Sequence, residues 1–600
     1  MCGIFATTRP DLWGSKMDEV LESLSHRGPD GSGSWTDPRG SVLLAHTRLA
    51  IIGLGPQAAQ PLASSDGSVR VTYNGEICNY RRVAVDVGLE NPHSDTNVLA
   101  ELLRDRGVEG LSGLRGMYAF AAWDERRRSL VAARDPYGIK PLYVLHHQTG
   151  GVTLSSVIPP LLLLPEARRI DPIGLAHYMA FGHTGPTLTM FEPIRKLAPG
   201  AAWEWRLEDD GRWTSSVRRL PTKRPEYEPM ALGQAVADSV GAHMVADVEV
   251  GVFLSGGTDS TLLATLAAEI NPDLRTFTLS FPGVPAIDES DRASANATLI
   301  GTKHETIPVF PEDMHEAARL VTAVQGEPFG DAGALPLAVL AREARREIKV
   351  ALSGEGADEL FGGYKRYRVS RWLQNPMFWA TRQATKPLAR IWAGRRGESP
   401  GERAVEALLW GGGVRSHAAL LVGELNVLPE EGPASEAAIL ARSDWAAVQN
   451  GDGERVTARD FDLQRWLPNV YMEKTDRATM ASGLEARVPY LDPAVAAVAE
   501  RSVRRSFGKG ALRAELERRL PGVSLPEQKK GMAVPYEPLL AGLREHARKE
   551  LRSRDSVLYR FLGVEGVRAL RARCARSVTT EYRVATVGLW DEVFSGTSFT

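Results

Sequence analysis

Two apolar rhythms divide this chain. Between Gly40 and Leu154 short β-type runs, such as Ser41-Val42-Leu43-Leu44-Ala45 and Val69-Arg70-Val71-Thr72-Tyr73, are separated by turn signals, the second run being followed by Asn74-Gly75. A β-rich first part with few helices is expected. From Val248 onward strands and helices alternate: Val248 to Leu254, Thr276 to Phe281 and Ile348 to Leu352 as strands, Thr261 to Ile270 and Leu335 to Arg346 as helices. Such alternation builds a parallel sheet with helices on both faces, and ligands bind beyond the carboxyl ends of its strands. The glycine-rich loops after Leu254 and Leu352 are therefore the first candidates for a site. Between the two rhythms lie Glu208-Asp209-Asp210-Gly211, Arg218-Arg219 and three prolines with little periodic signal, which read as a linker. The expected division is a first unit over 1–206, a linker over 207–229 and a second unit over 230–600. Beyond Arg371 the pattern is mostly helical. Its stretch from about Trp372 to Arg459 is where acceptor or partner specificity is sought.

Composition removes several functional classes. With 600 residues, 43% hydrophobic and 24% charged, the chain has material for more than one packed core. Lys plus Arg number 72 and Asp plus Glu 74, so the net charge of −2 gives no overall attraction to nucleic acid or anionic lipid. Three cysteines, Cys2, Cys78 and Cys574, exclude a disulfide framework and any CxxC zinc or redox pair, and fit a reducing cytoplasm. The amino terminus meets Arg9, Asp11 and Lys16 too soon for a secretory signal. Val157 to Leu164, the most apolar stretch, is broken by Pro159 and Pro160 and is too short for a bilayer core of ~30 Å. Neither a nucleic-acid nor a membrane partner is expected.

Cys2 becomes the first residue if Met1 is removed, which would place a thiol beside a free α-amine. An α-amine has a pKa of about 8, so it could take the thiol proton near neutral pH. Taken alone, Cys2 is more simply a small apolar residue. Acyl transfer from an amide also needs donors for an oxyanion, which the Asn74 side chain and the Gly75 N–H could provide. Taken alone, Asn-Gly is more simply a hairpin turn. Free glutamine carries an α-carboxylate and an α-ammonium, for which Arg48 and Asp95 are candidate partners. Alone, each is a surface charge.

The loop Leu254-Ser255-Gly256-Gly257-Thr258-Asp259-Ser260 offers glycines, hydroxyls and a helix N-terminus to phosphate oxygens, without the Gly-Lys-Ser/Thr of a Walker A loop. A plain strand-to-helix turn is an equal reading of it. The loop Ser353-Gly354-Glu355-Gly356-Ala357-Asp358-Glu359 carries three acids, so Asp259 and Asp358 could share hydrated magnesium with substrate phosphates. Gly53-Leu54-Gly55-Pro56-Gln57-Ala58 fits a dinucleotide fingerprint in form only, because Pro56 intervenes and no helix follows.

The motifs Cys2-Gly3-Ile4-Phe5, His26-Arg27-Gly28-Pro29-Asp30, His46-Thr47-Arg48-Leu49-Ala50-Ile51, Tyr73-Asn74-Gly75-Glu76-Ile77, Ser94-Asp95-Thr96 and Arg134-Asp135-Pro136-Tyr137-Gly138-Ile139-Lys140 occur in the order found in class II glutamine amidotransferases. This run resembles the N-terminal-nucleophile glutaminase of the asparagine synthetase family. The two glycine loops resemble the SGGxDS and SGEGxDE elements of that family's ATP-pyrophosphatase half. The match continues through Glu327-Pro328-Phe329, Trp466-Leu467-Pro468, Lys474 to Met480 and Leu484 to Asp492.

The resemblance implies an α+β four-layer sandwich, then an α/β parallel-sheet domain with a helical C-terminal extension. It implies Cys2 as nucleophile and base, Asn74 and Gly75 as oxyanion hole, and Arg48, Glu76 and Asp95 as the glutamine clamp. On the ATP side it implies Leu254, Ser255, Gly256, Gly257, Asp259, Ser260, Leu279, Ser353 and Gly354 around nucleotide and diphosphate, with Mg2+ on Asp259 and Asp358. Glu355 would assist proton removal from ammonia. Lys529 would stabilise departing diphosphate; Glu527 stands where many members have Arg, and Lys530 is the competing lysine. Cys78, Ser156 and Thr258 also depart from the usual residues without removing a reacting group.

The implied chemistry is glutamine- and ATP-dependent amide formation through an acyl-adenylate, with aspartate as the carboxylate acceptor in a homodimeric enzyme. Relatives that amidate other carboxylates or close rings keep a second acceptor class open. The intact Cys2, Arg48, Asn74, Gly75 and Asp95 set argues for ammonia as nucleophile. A non-catalytic sensor of glutamine or nucleotide is opposed by retention of both Asp259 and Asp358. A tRNA-thiolating enzyme is opposed by the absence of basic excess and of paired cysteines.

Overall fold

The computed structural model describes residues 2–148, 150–220, 230–373, 436, 457–505, 508–526 and 534–594. Seventeen strands occur among them: β1 Gly3–Thr7, β2 Gly31–Thr36, β3 Leu43–Arg48, β4 Leu62–Ala63, β5 Val69–Ile77, β6 Gly116–Asp124, β7 Ser129–Arg134, β8 Tyr143–His146, β9 Val152–Ser155, β10 Ile194–Lys196, β11 Ala201–Leu207, β12 Trp213–Arg219, β13 Val250–Phe253, β14 Arg275–Ser280, β15 Lys303–Pro308, β16 Val350–Leu352 and β17 Glu485–Arg487. They form three sheets, ordered β10-β8-β9-β1-β3-β2, β12-β11-β7-β6-β5-β4 and β15-β14-β13-β16-β17.

The first two sheets are antiparallel and stack face to face. Strand alternation shows why. On β1, Ile4 and Ala6 point into the core between the sheets, where they meet Ala119 and Ala121 of β6 and Ala132 of β7, while Phe5 packs on the opposite side. Small side chains on the shared faces let the layers approach closely. On the outer face of β6, Tyr118, Phe120 and Ala122 join Val98, Leu99 and Leu102 of the helix Asp95–Arg106. The helix Met17–Leu24 covers the outer face of the first sheet, its Val20 and Leu24 packing with Phe5. The result is the expected four-layer sandwich.

The third sheet is wholly parallel. Its chain runs from β13 outward through β14 to β15, then returns to lay β16 on the other side of β13, so strand order reverses between β13 and β16. Open α/β sheets place their ligand crevice at such a reversal, beyond the carboxyl ends of the strands. Helices Leu232–His243 and Thr258–Ile270 bury one face, and Pro311–Gln325 and Ala334–Ala344 the other. Three C-terminal helices, Tyr536–Arg552, Val557–Cys574 and Val578–Val593, pack on one another, the first and third also on Pro311–Gln325.

Three expectations are corrected. The stretch read as a linker from Leu207 is largely a hairpin, since β12 pairs with β11 from Ala201↔Arg219 to Leu207↔Trp213; the remainder, 221–229, lies outside the described residues. The polar edge strand Thr214-Ser215-Ser216 gives no apolar rhythm because both its faces are largely wet. Asn74-Gly75 is no turn: β5 runs straight through it, with Asn74 opposite Ala119 and Gly75 opposite Tyr118. The first part also holds more helix than its β-rich reading allows, including Tyr80–Asp86 and Asp95–Arg106. Lys529, Lys530 and most of 372–459 lie outside the described residues. Among the described residues no helix is long and apolar enough to cross a membrane.

Candidate active sites

The first site lies where the two stacked sheets meet at Cys2. The backbone N–H of Cys2 donates to Asn74 Oδ1 at 3.1 Å. That bond occupies the amide oxygen of Asn74, while its Nδ2 is buried with no partner among the described residues. A buried unpaired donor is costly, so this one is a ready receptor for negative charge. Gly75 is required sterically: a Cβ there would stand 2.2 Å from the Met117 carbonyl oxygen on β6. Burial pushes the Cys2 thiol up, against the Leu49 backbone N–H that pulls it down, so the thiol needs a base to become a nucleophile.

Cys2, Arg48, Gly75, Glu76, Asp95 and Glu485 line one cleft. Arg48, at the end of β3, donates to the carbonyl oxygens of Gly53 and Gly55, which fixes its guanidinium in the wall. The glycines of the false dinucleotide fingerprint thus serve as its anchor. Asp95 opens its helix behind the N-cap Ser94, whose hydroxyl accepts from Asn97 N–H. Its carboxylate accepts from Tyr73 Oη at 2.9 Å, Ile77 N at 3.2 Å and Thr96 N at 2.8 Å. Burial pushes Asp95 up, and these donors oppose it. Glu76 accepts through Oε2 from Arg487 Nη2 at 3.0 Å, and its Oε1 is buried with no partner.

The second site occupies the crevice between β13 and β16. In the loop after β13, Gly256 has φ +71°, and a Cβ there would stand 3.0 Å from Ala293 N, so glycine is needed both for conformation and for space. Ser260 Oγ accepts from Ser255 N–H at 3.1 Å and lies 3.0 Å from Ser255 Oγ, which closes the loop onto the first turn of Thr258–Ile270. A Cβ at Gly354 would lie 3.2 Å from Asp259 Cβ, so the two glycine loops abut. Leu254 is buried, and Leu279 is half-buried at the carboxyl end of β14.

Asp259 and Asp358 meet through one ammonium. Lys509 Nζ stands 2.5 Å from Asp358 Oδ1 and contacts Asp259 Oδ2. Two carboxylates close enough to share one cation form a hard-oxygen donor pair suited to a divalent ion that keeps water and phosphate ligands. The residues present therefore fit magnesium. Glu355 pairs with Lys474 at 3.0 Å. Burial opposes the charge on Lys474, but Glu355 and Asp331 hold its pKa up. Arg477 bridges Glu327 at 3.0 Å and Glu473 at 2.7 Å, and Lys196 reaches Glu473 at 2.6 Å. The motifs that follow the glycine loops in sequence thus converge beside them in space.

Residues 1–214 match the family model of the glutamine amidotransferase domain, and residues 231–592 match that of asparagine synthase. The chain belongs to the glutamine-hydrolysing asparagine synthetase family. It is 31% identical over 562 residues to asparagine synthetase 1 of Bacillus subtilis, covering 89% of this chain and 87% of that one. It is 34% identical over 560 residues to a provisionally named asparagine synthetase of Mycobacterium tuberculosis strain H37Rv, covering 85% and 83%. Over 390 residues it is 27% identical to a protein of Gibberella zeae named an amidase, covering 59% and 56%. The solved glutamine phosphoribosylpyrophosphate amidotransferase of B. subtilis gives a TM-score of 0.28 at 16% identity over 52% of this chain and 82% of that one, so family membership rests on sequence.

As a member of the asparagine synthetase family the chain is an ATP-dependent ligase that takes its nitrogen from glutamine. The structure adds residues to its sites that local sequence does not announce. Lys509 at the two aspartates, Lys474 at Glu355, and Glu485 and Arg487 at the glutaminase cleft arrive from far along the chain. The family motifs Lys474 to Met480 and Leu484 to Asp492 were the available signals, and they cover all of these but Lys509.

Proposed function

We propose that this enzyme makes asparagine: glutamine is hydrolysed at Cys2, and the released ammonia attacks β-aspartyl-AMP formed at the second site. The observation that carries the glutaminase half is the pairing of Cys2 N with Asn74 Oδ1 while Asn74 Nδ2 stays buried and unpartnered. With Met1 removed, the α-amine of Cys2 takes the thiol proton and the thiolate attacks the glutamine side-chain amide. Asn74 Nδ2 and the Gly75 N–H then receive the oxyanion. Arg48 pairs with the α-carboxylate of glutamine, and Glu76 and Asp95 with its α-ammonium.

At the second site the glycine loops hold the ATP phosphates, and Asp259 and Asp358 would hold magnesium, which would supply positive charge against the diphosphate. Glu355, paired with Lys474, takes a proton as ammonia becomes the amide nitrogen. Lys529 is assigned to diphosphate on the family resemblance. An apolar cluster joins Leu49, Ile51, Met117 and Ile139 of the first part to Leu352 and Val488 of the second. The family resemblance supports a homodimer, and three unpaired cysteines support a reducing cytoplasm.

The acceptor is tested by holding glutamine, ATP and Mg2+ constant and measuring AMP as carboxylates are varied. Aspartate is expected to stimulate AMP release. Its failure to do so, with another carboxylate succeeding, would replace the acceptor and keep the class; the relative named an amidase makes that alternative concrete.

A further inference from the structure

Strand β17 belongs to the sheet that carries the ATP site, yet two of its three side chains point toward the glutaminase half. Residues two apart on a strand share a face. Glu485 lines the cleft itself. Arg487, fully buried, donates from Nε to Glu485 Oε1 at 2.6 Å, from Nη1 to the carbonyl oxygens of His243 at 2.8 Å and Val245 at 2.7 Å, and from Nη2 to Glu76 Oε2 at 3.0 Å. Every guanidinium nitrogen is engaged, so the fork has one position. Its backbone is held as well, because the Arg487 carbonyl accepts from Ser353 N–H at 2.8 Å.

This rigid fork decides what Glu76 can do. Glu76 is buried, and burial raises its pKa well above that of an ordinary carboxyl; the Arg487 charge is the first force opposing that rise. Arg487 takes Oε2 and leaves Oε1 buried with no partner in the wall of the cleft. By contrast both oxygens of Asp95 already accept hydrogen bonds. Glu76 Oε1 is thus a buried carboxylate oxygen with no partner among the described residues, and the side chain that fixes it comes from the opposite half of the chain.

We propose that Arg487 is a positioning residue for glutamine, fixing Glu76 so that its second oxygen meets the α-ammonium of the substrate. The glutamine pocket is then completed from the synthetase sheet. This rests on the reading that the Cys2 cleft takes glutamine.

The test uses the full-length enzyme and two substrates: glutamine, and glutaramate, which is glutamine without the α-ammonium. Arg487→Met keeps much of the side-chain length and removes the charge. Loss of one charge-assisted contact predicts a fall in kcat/KM for glutamine of about 10- to 100-fold, carried mainly by KM. Turnover of glutaramate should stay within about twofold of wild type, since the lost contact is one that glutaramate never makes. Arg487→Lys should recover part of the preference for glutamine. AMP release driven by added ammonia reports that the variant is folded. Equal losses on both substrates, or unchanged preference for glutamine, overturn the proposal. Should Arg487→Met fail to fold, Glu76→Gln carries the test: it must lose the preference for glutamine over glutaramate, and retention of that preference overturns the proposal. If wild-type enzyme releases no glutamate from glutamine, the proposed function falls and this inference with it. If it does and the preference survives substitution, only the inference falls.

Discussion

Replacing Asn74 by Asp separates the two tasks this residue performs. The aspartate can still accept from Cys2 N–H as Oδ1 does at 3.1 Å, so the nucleophile keeps its anchor. What disappears is the Nδ2 donor, which is buried and spends none of its capacity on the protein. Removal of one oxyanion-hole donor costs about 2.7–4 kcal/mol of transition-state stabilisation, or about 10²–10³ in kcat. A carboxylate oxygen in its place repels the developing oxyanion, so the loss should reach the upper end of that range. Asn74→Ala removes donor and anchor together, and the lost anchor adds about 1 kcal/mol, or about fivefold. The measurements are glutamate release from glutamine and AMP release driven by ammonium chloride, side by side. Asn74→Asp should lose the first with little change in KM and retain the second. A variant within about tenfold of wild type in glutamate release, judged against the range for a lost oxyanion donor, would refute the role of Nδ2. Parallel loss of both activities would refute the separation of sites.

Asp358→Asn should abolish AMP formation with either nitrogen source and spare glutamine hydrolysis, as measured by AMP and glutamate release; loss of both would contradict a remote ATP site. Lys509→Met leaves Asp259 and Asp358 facing one another without their shared ammonium. Its melting temperature in EDTA should fall below that of wild type and recover as Mg2+ is added, and a Mg2+-independent difference would remove Lys509 from the metal site. Glu550 is buried between C-terminal helices and accepts from Leu558 N–H at 2.6 Å. Burial pushes its carboxyl up to about 7 from 4.5. The folded form then holds a proton that the unfolded form releases, so stability drains away as pH rises through that window. Glu550→Gln should be increasingly stabilising from pH 4.5 to 7, by up to about 3 kcal/mol above it, in denaturant titrations at several pH values; a pH-independent difference would refute the assignment.

The architecture is legible in the sequence where period and punctuation agree. Val250–Phe253 and Val350–Leu352 are short apolar runs ended by glycine, and no helix could continue through Ser255-Gly256-Gly257. The helix after that loop begins at Thr258, three residues before the apolar pattern starts, because Gly257 serves as its N-cap. Where local chemistry misleads, a tertiary contact overrides it. Asn-Gly favours a turn, but here the glycine is the residue that lets β5 pass the Met117 carbonyl. The helix Asp95–Arg106 offers only the run Val98 to Leu103 as an apolar signal, too short to separate helix from strand by period. Lys509 gives no signal because its partners lie 250 and 151 residues away, and its purpose exists only once both loops are in place.

The contacts between the two halves show why the glutaminase site is not self-contained. Arg27 forms a double hydrogen bond with Asp476 at 2.8 and 3.0 Å, both side chains being buried. Arg115 reaches Asp492 at 2.8 Å, and Arg487 reaches Glu76 at 3.0 Å. Ion pairs as dry as Arg27–Asp476 and Arg487–Glu76 are poor sources of stability, because desolvation costs several kcal/mol per ion and attraction repays it only in good geometry. Their effect is selective instead. Parting either partner from the other leaves a buried charge at a cost of about 3–5 kcal/mol, so the halves have one tolerable way to meet. Arg27 also donates from Nε to the carbonyl oxygen of Cys2 at 3.3 Å. The same guanidinium thus binds the backbone of Cys2 and a carboxylate of the synthetase half. A shift of the interface large enough to break Arg27 from Asp476 would therefore act on the backbone of Cys2, and on the proposed reading glutamine hydrolysis should weaken when the second half is undocked.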